Sequence, residues 1–457
     1  MKIARFTTLL LAGAARGEML RADADADALL VALERSASAR LPPSAQQVPV
    51  ALEPLELAHA PAGPAAGGDA ASASALSRVG VRFCDVDIAA HKATMPSVPL
   101  FDDFVALSGC NASTTQVIAA SELLVSLARV HGLKSSAWAQ PALVIFHVGS
   151  CGSAALTNML AVLPGIIALS EPALLTSALL LGDVSRRLET ATTGEEVLLL
   201  RLIAHLAHRG GSSRLAAARA AGEPFAPADA RLVLQLPSAL PLVRDDAMKL
   251  LAAAWPSARW ALLTRAPVPV MARLLGEDAQ LAVGASRRIA LARSACLRSR
   301  ARLSRHVAAV LAAASAVEPF LRAARGVGSR PLALRAAEPY ALPAEAYCAA
   351  QLAAVQLAVL DGAAERADAS ADGGGTGAAA GAAAGAAADV VAKLLVLDHA
   401  QLPLEALDRV VAHARLPPVE QSARTLVQAV GSVATMPDGT RRCVRPRATG
   451  ARGTGGC

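Results

Sequence analysis

The stretch Pro141–Pro172, PALVIFHVGSCGSAALTNMLAVLPGIIALSEP, decides the fold. Leu143–Phe146 is a short β-branched and aromatic apolar run, the pattern of a strand buried on both faces. Gly149, Ser150, Cys151, Gly152 and Ser153 then place small residues where the backbone must bend tightly and leave its N–H groups uncovered. Ala154–Leu163 predicts the helix that begins there, and Ile166–Leu169 a second short strand. Such a helix start favours anions, because its first amides lack intrahelical partners and the macrodipole adds about half a positive charge.

Working outward, Arg231–Leu236, Arg259–Thr264 and Lys393–Leu397 read as further strands. Arg244–Trp255, Ala285–Val317 and Glu345–Leu360 read as helices, and Thr193-Gly194-Glu195-Glu196 as a capping box before a helix over Val197–His208. Strands alternating with helices predict an α/β protein with a three-layer parallel sheet flanked by helices. Upstream, Val81–Ile88 alternates like a strand and Thr115–Val130 carries a helical apolar stripe. No segment has the roughly 20 consecutive apolar residues of a spanning helix; Ala154–Leu181, the most apolar region, is broken by Asn158, Pro164, Glu171 and Pro172.

Composition sets the boundaries. A chain of 457 residues can bury a large core, although alanine supplies much of its 54% hydrophobic content and aromatics only 3%. Residues 1–20 read as a leader, with a basic start, an apolar run over Phe6–Ala12 and an Ala12-Gly13-Ala14 cleavage pattern. Removal of that leader implies a secretory or organellar route, for which Asn111-Ala112-Ser113 supplies a sequon; without removal the chain is cytoplasmic. Residues 21–80 read as a low-complexity tether, 81–139 as a small upstream segment, and 140–430 as the main domain with a Gly/Ala-rich insertion at 367–388. Arg441, Arg442, Arg445, Arg447 and Arg452 follow the last acidic residue, Asp438, so the formal charge of +7 is mostly a basic tail over 431–457. With no zinc-finger spacing and no aromatic-basic RNA motif beside it, specific nucleic-acid binding is not implied. The seven cysteines are scattered, with no C-x-x-C pair.

His147-Val148-Gly149-Ser150-Cys151-Gly152-Ser153-Ala154-Ala155-Leu156, followed by Leu169-Ser170-Glu171-Pro172, resembles the sulfotransferase family of the P-loop superfold. The branch concerned has a phosphosulfate loop of the form H-x-G-x-C-G-S followed by Ser-Glu-Pro. Trp255-Pro256 and Trp260–Pro267 resemble that family's second signature, and Pro99–Phe104 a segment upstream of it. The resemblance implies a co-substrate, 3′-phosphoadenosine-5′-phosphosulfate, held by Gly149, Ser150, Cys151, Gly152, Ser153 and Ala154, with Arg265 on its 3′-phosphate. It implies sulfuryl transfer to a hydroxyl or amine acceptor without a metal. Glu171 is the candidate general base, with capping of the following helix as its structural alternative, and His147 is the second candidate proton acceptor.

The chain departs from the family's pattern at several places. Ser150 stands where a cationic or bulky residue is common, Ala266 replaces an Asp, and Gln235 stands where a Lys is frequent. Arg273 replaces a Ser and would supply a second cation to the 3′-phosphate. These changes keep open a catalytically weakened, nucleotide-binding relative. A third reading is a Cys-nucleophile α/β hydrolase using Cys151 and His399, although Ser153 occupies the second glycine of its elbow motif. The loop has no Lys of the G-x-x-x-x-G-K-[ST] type, which makes a nucleotide phosphatase or kinase a poor reading. His205 and His208 share a helix face and read as solvent-facing rather than metal-ligating.

Overall fold

A computed structural model describes residues 24–35, 46–55, 74–94, 100–111, 114–132, 134–135, 138–179, 193–219, 229–242, 244–275, 305–312, 344–371, 394–419, 421 and 424–425. The leader, the basic tail and most of the Gly/Ala-rich insertion lie outside them, as does all but 305–312 of the helix expected over Ala285–Val317. From the N-terminus run α1 (residues 24–35), β1 (Val48–Pro54), β2 (Val79–Cys84), α2 (Ile88–Thr94), α3 (Phe101–Leu107), β3 (Gln116–Ala119) and α4 (Ala120–His131). The main sheet follows as β4 (Leu143–His147), α5 (Ser153–Ala161), β5 (Ile166–Ser170), α6 (Ala173–Leu179), α7 (Thr193–Arg219), β6 (Arg231–Gln235), α8 (Ala247–Ala254) and β7 (Arg259–Thr264). After α9 (Pro267–Leu275) and α10 (residues 305–312) come α11 (Ala344–Ala371), β8 (Leu394–Asp398) and α12 (Leu404–His413).

The five strands β5-β6-β4-β7-β8 form an all-parallel sheet in that order. Side chains alternate across it with a period of two. Leu143, Ile145, Ile166, Val233, Ala261 and Leu263 pack with α5 and α12 on one face. Val144, Phe146, Ile167, Leu232, Leu234, Trp260 and Leu262 pack with α7, α8 and α11 on the other. Both faces are covered, which is why these strands read as continuous apolar runs. Each fully buried Leu or Ile here contributes about 1.5–3 kcal/mol. The order places β4, the first strand of this sheet, at the centre: the connection from β4 runs to β5 on one side, and the connection from β6 crosses to β7 on the other. Ligands of open α/β sheets bind at the carboxyl ends beside such a reversal.

The upstream region is more ordered than a tether. Strands β1, β2 and β3 form an antiparallel sheet, and Ala26, Leu30 and Leu33 of α1 are buried in the same core as Val144 and Phe146. Within the expected tether over 21–80, residues 24–35, 46–55 and 74–80 are structured, and the rest of that range lies outside the described residues. The signal for α1 is the i, i+4, i+7 spacing of Ala26, Leu30 and Leu33, which survives in an alanine-rich background. Cys84 and Cys110 form a disulfide joining β2 to the turn after α3. The helix expected over Thr115–Val130 begins only at Ala120, because Val117 and Ile118 pair with Arg82 and Val81 of β2.

The two glutamates of the expected capping box make long-range contacts. Glu195 accepts hydrogen bonds from the Ser74 hydroxyl and the Ala75 amide, and Glu196 pairs with Arg244, tying α7 to the upstream layer and to the entry of α8. The stretch 346–366 of α11 is long and apolar enough to cross a membrane by length and composition alone, and more than half of it is buried inside the structure. Its Gly362 lies where a Cβ would meet Met248 Cβ at 2.6 Å, so it packs as a core helix.

Candidate functional site

The site is built at the carboxyl end of β4. Gly149, Ser150 and Gly152 all take positive φ (77°, 45° and 86°), which coils the chain back so that α5 starts directly over the strand end. At Gly152 an added Cβ would lie 2.6 Å from Leu402 Cδ1 and 3.1 Å from His399 Cδ2, so the loop after β8 closes on this residue and leaves room only for hydrogen. The first intrahelical bond of α5 is Leu156 N–H to Gly152 O at 3.1 Å. The amides of Ser153, Ala154 and Ala155 therefore have no backbone acceptor among the described residues. Free amides at a helix start favour a negative charge.

Arg265 leaves the end of β7 and its Nη1 donates to Ser150 O at 3.0 Å, so the guanidinium lies on the loop. His399, after β8, is at the same mouth; burial first, then the positive charge of Arg265, lowers its pKa. Three strand ends thus converge on one loop. Arg273 lies in α9, but its side chain falls outside the described residues.

Glu171 follows β5 in a left-handed conformation, φ 49°, held by its amide donating to Gln235 O at 2.8 Å. It does not cap α6: the Ala173 amide donates instead to Asp102 Oδ2 of α3 at 3.0 Å. Freed from that task, Glu171 turns toward β4, and its Oε1 is 3.1 Å from His147 Nε2. His147 is 3% exposed, and Gly149 N–H donates to its Nδ1 at 3.1 Å. Burial alone would lower the His147 pKa, but hydrogen bonds and charge from Cys151 and Glu171 outweigh it and hold it up at about 10. The Gly149 amide works against that rise, since a doubly protonated ring would set one N–H against another. Both effects leave a hydrogen on Nε2, facing Glu171.

Gln235 completes the cluster. Fully buried at the end of β6, it hydrogen-bonds to Ser153, Glu171, Thr157 and Ser170 and approaches His147 Nε2 at 3.3 Å. A polar residue in the otherwise apolar run RLVLQL was the signal for it. Asp102 is a second addition: burial, then the nearby charges of Asp103 and Glu171, raises its pKa to about 6 against the opposing pull of the Ala173 amide. The structure therefore brings together His147, Glu171 and Ser153 through Gln235, and Arg265 with Ser150 of the same loop.

Cys151 is 0% exposed and its thiol hydrogen-bonds to His147, not to His399. A buried sulfur beside the wrong histidine is a poor fit to an elbow nucleophile. His205 and His208 are also corrected: His205 is 8% exposed and accepts from the Ala139 amide, and His208 is 3.1 Å from Ala230 O, so both hold α7 in place. No family model matches this chain, and neither does any curated protein or solved structure.

Proposed function

We propose that this protein is a sulfotransferase that takes a sulfuryl group from 3′-phosphoadenosine-5′-phosphosulfate and transfers it to a hydroxyl or amine acceptor. The observation that carries the reading is the convergence, at the carboxyl end of the sheet, of helix amides without backbone acceptors, a guanidinium on the loop, and a carboxylate–imidazole pair. The donor supplies an activated sulfuryl group. Its phosphosulfate matches the amides of Ser153, Ala154 and Ala155, and its 3′-phosphate matches the forked, permanently charged Arg265.

In the reaction, the acceptor oxygen or nitrogen forms a bond to sulfur while the sulfur–oxygen bond to the phosphate breaks, its electron pair leaving with the phosphate. The acceptor's proton passes to Glu171, whose side chain is 30% exposed while its Oε1 is held by His147 and Gln235. His147 is too enclosed to meet an acceptor directly and acts by holding Glu171. Negative charge growing on the leaving phosphate is met by the α5 amides and the Ser153 hydroxyl, because the loop carries no lysine for that task. Thermal denaturation with and without 3′,5′-bisphosphoadenosine, the desulfated product, tests the reading: a saturable rise in melting temperature supports it, and no shift at millimolar nucleotide removes it.

A further inference from the structure

His399 opens the single turn after β8 and lies against the Ser153 loop. A Cβ placed on Gly152 would stand 3.1 Å from its Cδ2 and 3.5 Å from its Nε2. The imidazole therefore rests on the residue that directly precedes the amides of Ser153, Ala154 and Ala155. Backbone bonds fix it there: Asp398 caps the turn by accepting from the Ala400 amide at 2.7 Å, and the Leu402 amide donates to His399 O at 3.1 Å. The ring itself makes no hydrogen bond among the described residues. His147 differs, since both of its nitrogens are engaged.

The charges that His399 feels are those of Arg265, at the end of β7, and of Asp398, its neighbour in sequence. Cys151 of the loop turns to His147 instead, and Glu405 and Arg409 of α12 are engaged with Gln401. Arg265 reaches Ser150 O at 3.0 Å, so a permanent cation and an imidazole flank one helix start. Burial and the Arg265 charge disfavour protonation of His399, and Asp398 opposes them more weakly. A dianion seated on the α5 amides changes the sign of the local charge. The imidazolium is then attracted to the ligand more than it is repelled by Arg265.

Building on the sulfotransferase reading above, we propose that His399 is a donor-binding residue: it takes up a proton from solvent when an anionic group of the nucleotide occupies the Ser153 loop, and supplies a second positive charge beside Arg265. Binding and protonation favour each other reciprocally. Affinity gains as pH falls through the His399 midpoint of the complex, and the gain is complete below the midpoint of the free protein.

The test is calorimetric titration of 3′,5′-bisphosphoadenosine into wild type, His399→Gln and His399→Lys across the acidic side of neutrality. The nucleotide's own phosphates titrate at about pH 6, so affinities are read as ratios to His399→Gln at each pH. The wild-type ratio should rise about tenfold from about pH 8 to about pH 5.5, the equivalent of a change of about one unit in the His399 midpoint. The His399→Lys ratio comes from a fixed charge and should be high and flat. A wild-type ratio that does not move with pH overturns the proposal. Should bisphosphoadenosine fail to bind the wild type, the sulfotransferase reading falls. The NMR titration of the His399 ring, in inorganic sulfate against chloride at equal ionic strength, then decides on His399 and needs no variant to fold. A higher midpoint in sulfate supports the assignment, and equal midpoints overturn it.

Discussion

Glu171 Oε1 lies 3.1 Å from His147 Nε2, across the ends of two strands that are separated in the sheet by β6. The contact requires Glu171 to adopt φ 49°, a conformation that costs a residue with a side chain roughly 1–2 kcal/mol. Its amide bond to Gln235 O and its carboxylate bonds hold it there. The Ala173 amide is taken by Asp102 instead, and in the proposed reaction His147 acts through Glu171.

Glu171→Gln is therefore expected to cut turnover by about 10²–10⁴-fold while leaving bisphosphoadenosine affinity within a few-fold. Steady-state kinetics and calorimetry on the same preparation check both halves. The pH dependence has a defined sign. A His147 pKa raised to about 10 stabilises the fold fully below the ordinary histidine value of 6.5, and that stabilisation is lost as pH rises toward 10. Wild type should thus be more stable than Glu171→Gln near pH 7, and the gap in urea midpoints should close above pH 10.

Gly152→Ala tests the closeness of the loop after β8. The Cβ would enter at φ 86° and 2.6 Å from Leu402 Cδ1, so nucleotide affinity should fall by at least about tenfold as the start of α5 shifts. Gly149→Ala is the comparison. Its added Cβ meets nothing closer than Ser238 Oγ at 3.6 Å, so its cost is backbone strain alone and should be smaller. Equal losses in the two variants would contradict this account of the loop.

Much of the sheet was legible because its strands are buried on both faces and so read as apolar runs bounded by Gly and Pro. Arg259–Thr264 falls on β7 as expected, and Ile166–Leu169 within β5. The upstream layer was not, because Ala26, Leu30 and Leu33 are three positions in a charged, alanine-rich stretch whose composition resembles a linker. Val117 misled for a different reason: its i, i+7 spacing with Leu124 is local, whereas the pairing with Arg82 of β2 that makes it part of a strand is long-range. Within the site, Gly149, Gly152 and Ser153 announced themselves by residue type. Gln235 showed only as a polar residue in an apolar run and Asp102 not at all, since their partners are set by which elements lie side by side, a property of topology that no window of sequence contains.

Asp102→Asn probes the carboxylate that caps α6. Burial raises its pKa to about 6, so its ionised form costs stability: the fold gains from its protonation below about pH 4 and loses that gain as pH rises through 6. The asparagine oxygen still accepts from the Ala173 amide and carries no charge. Chemical denaturation should find the variant at least as stable as wild type at pH 7, with that advantage vanishing near pH 4. A variant less stable at pH 7 than at pH 4, relative to wild type, would show that the Asp102 charge is favourable where it lies.

The measurement that bears most directly on the proposed activity is calorimetric titration of 3′,5′-bisphosphoadenosine into wild-type protein and Arg265→Ala. Arg265 reaches Ser150 O across the mouth of the loop, so a nucleotide seated on the α5 amides should meet its guanidinium. The account predicts one nucleotide per chain in the wild type and affinity at least about tenfold weaker in Arg265→Ala, the loss of a charge-assisted contact. No binding by the wild type, or equal affinity in the two proteins, would contradict it.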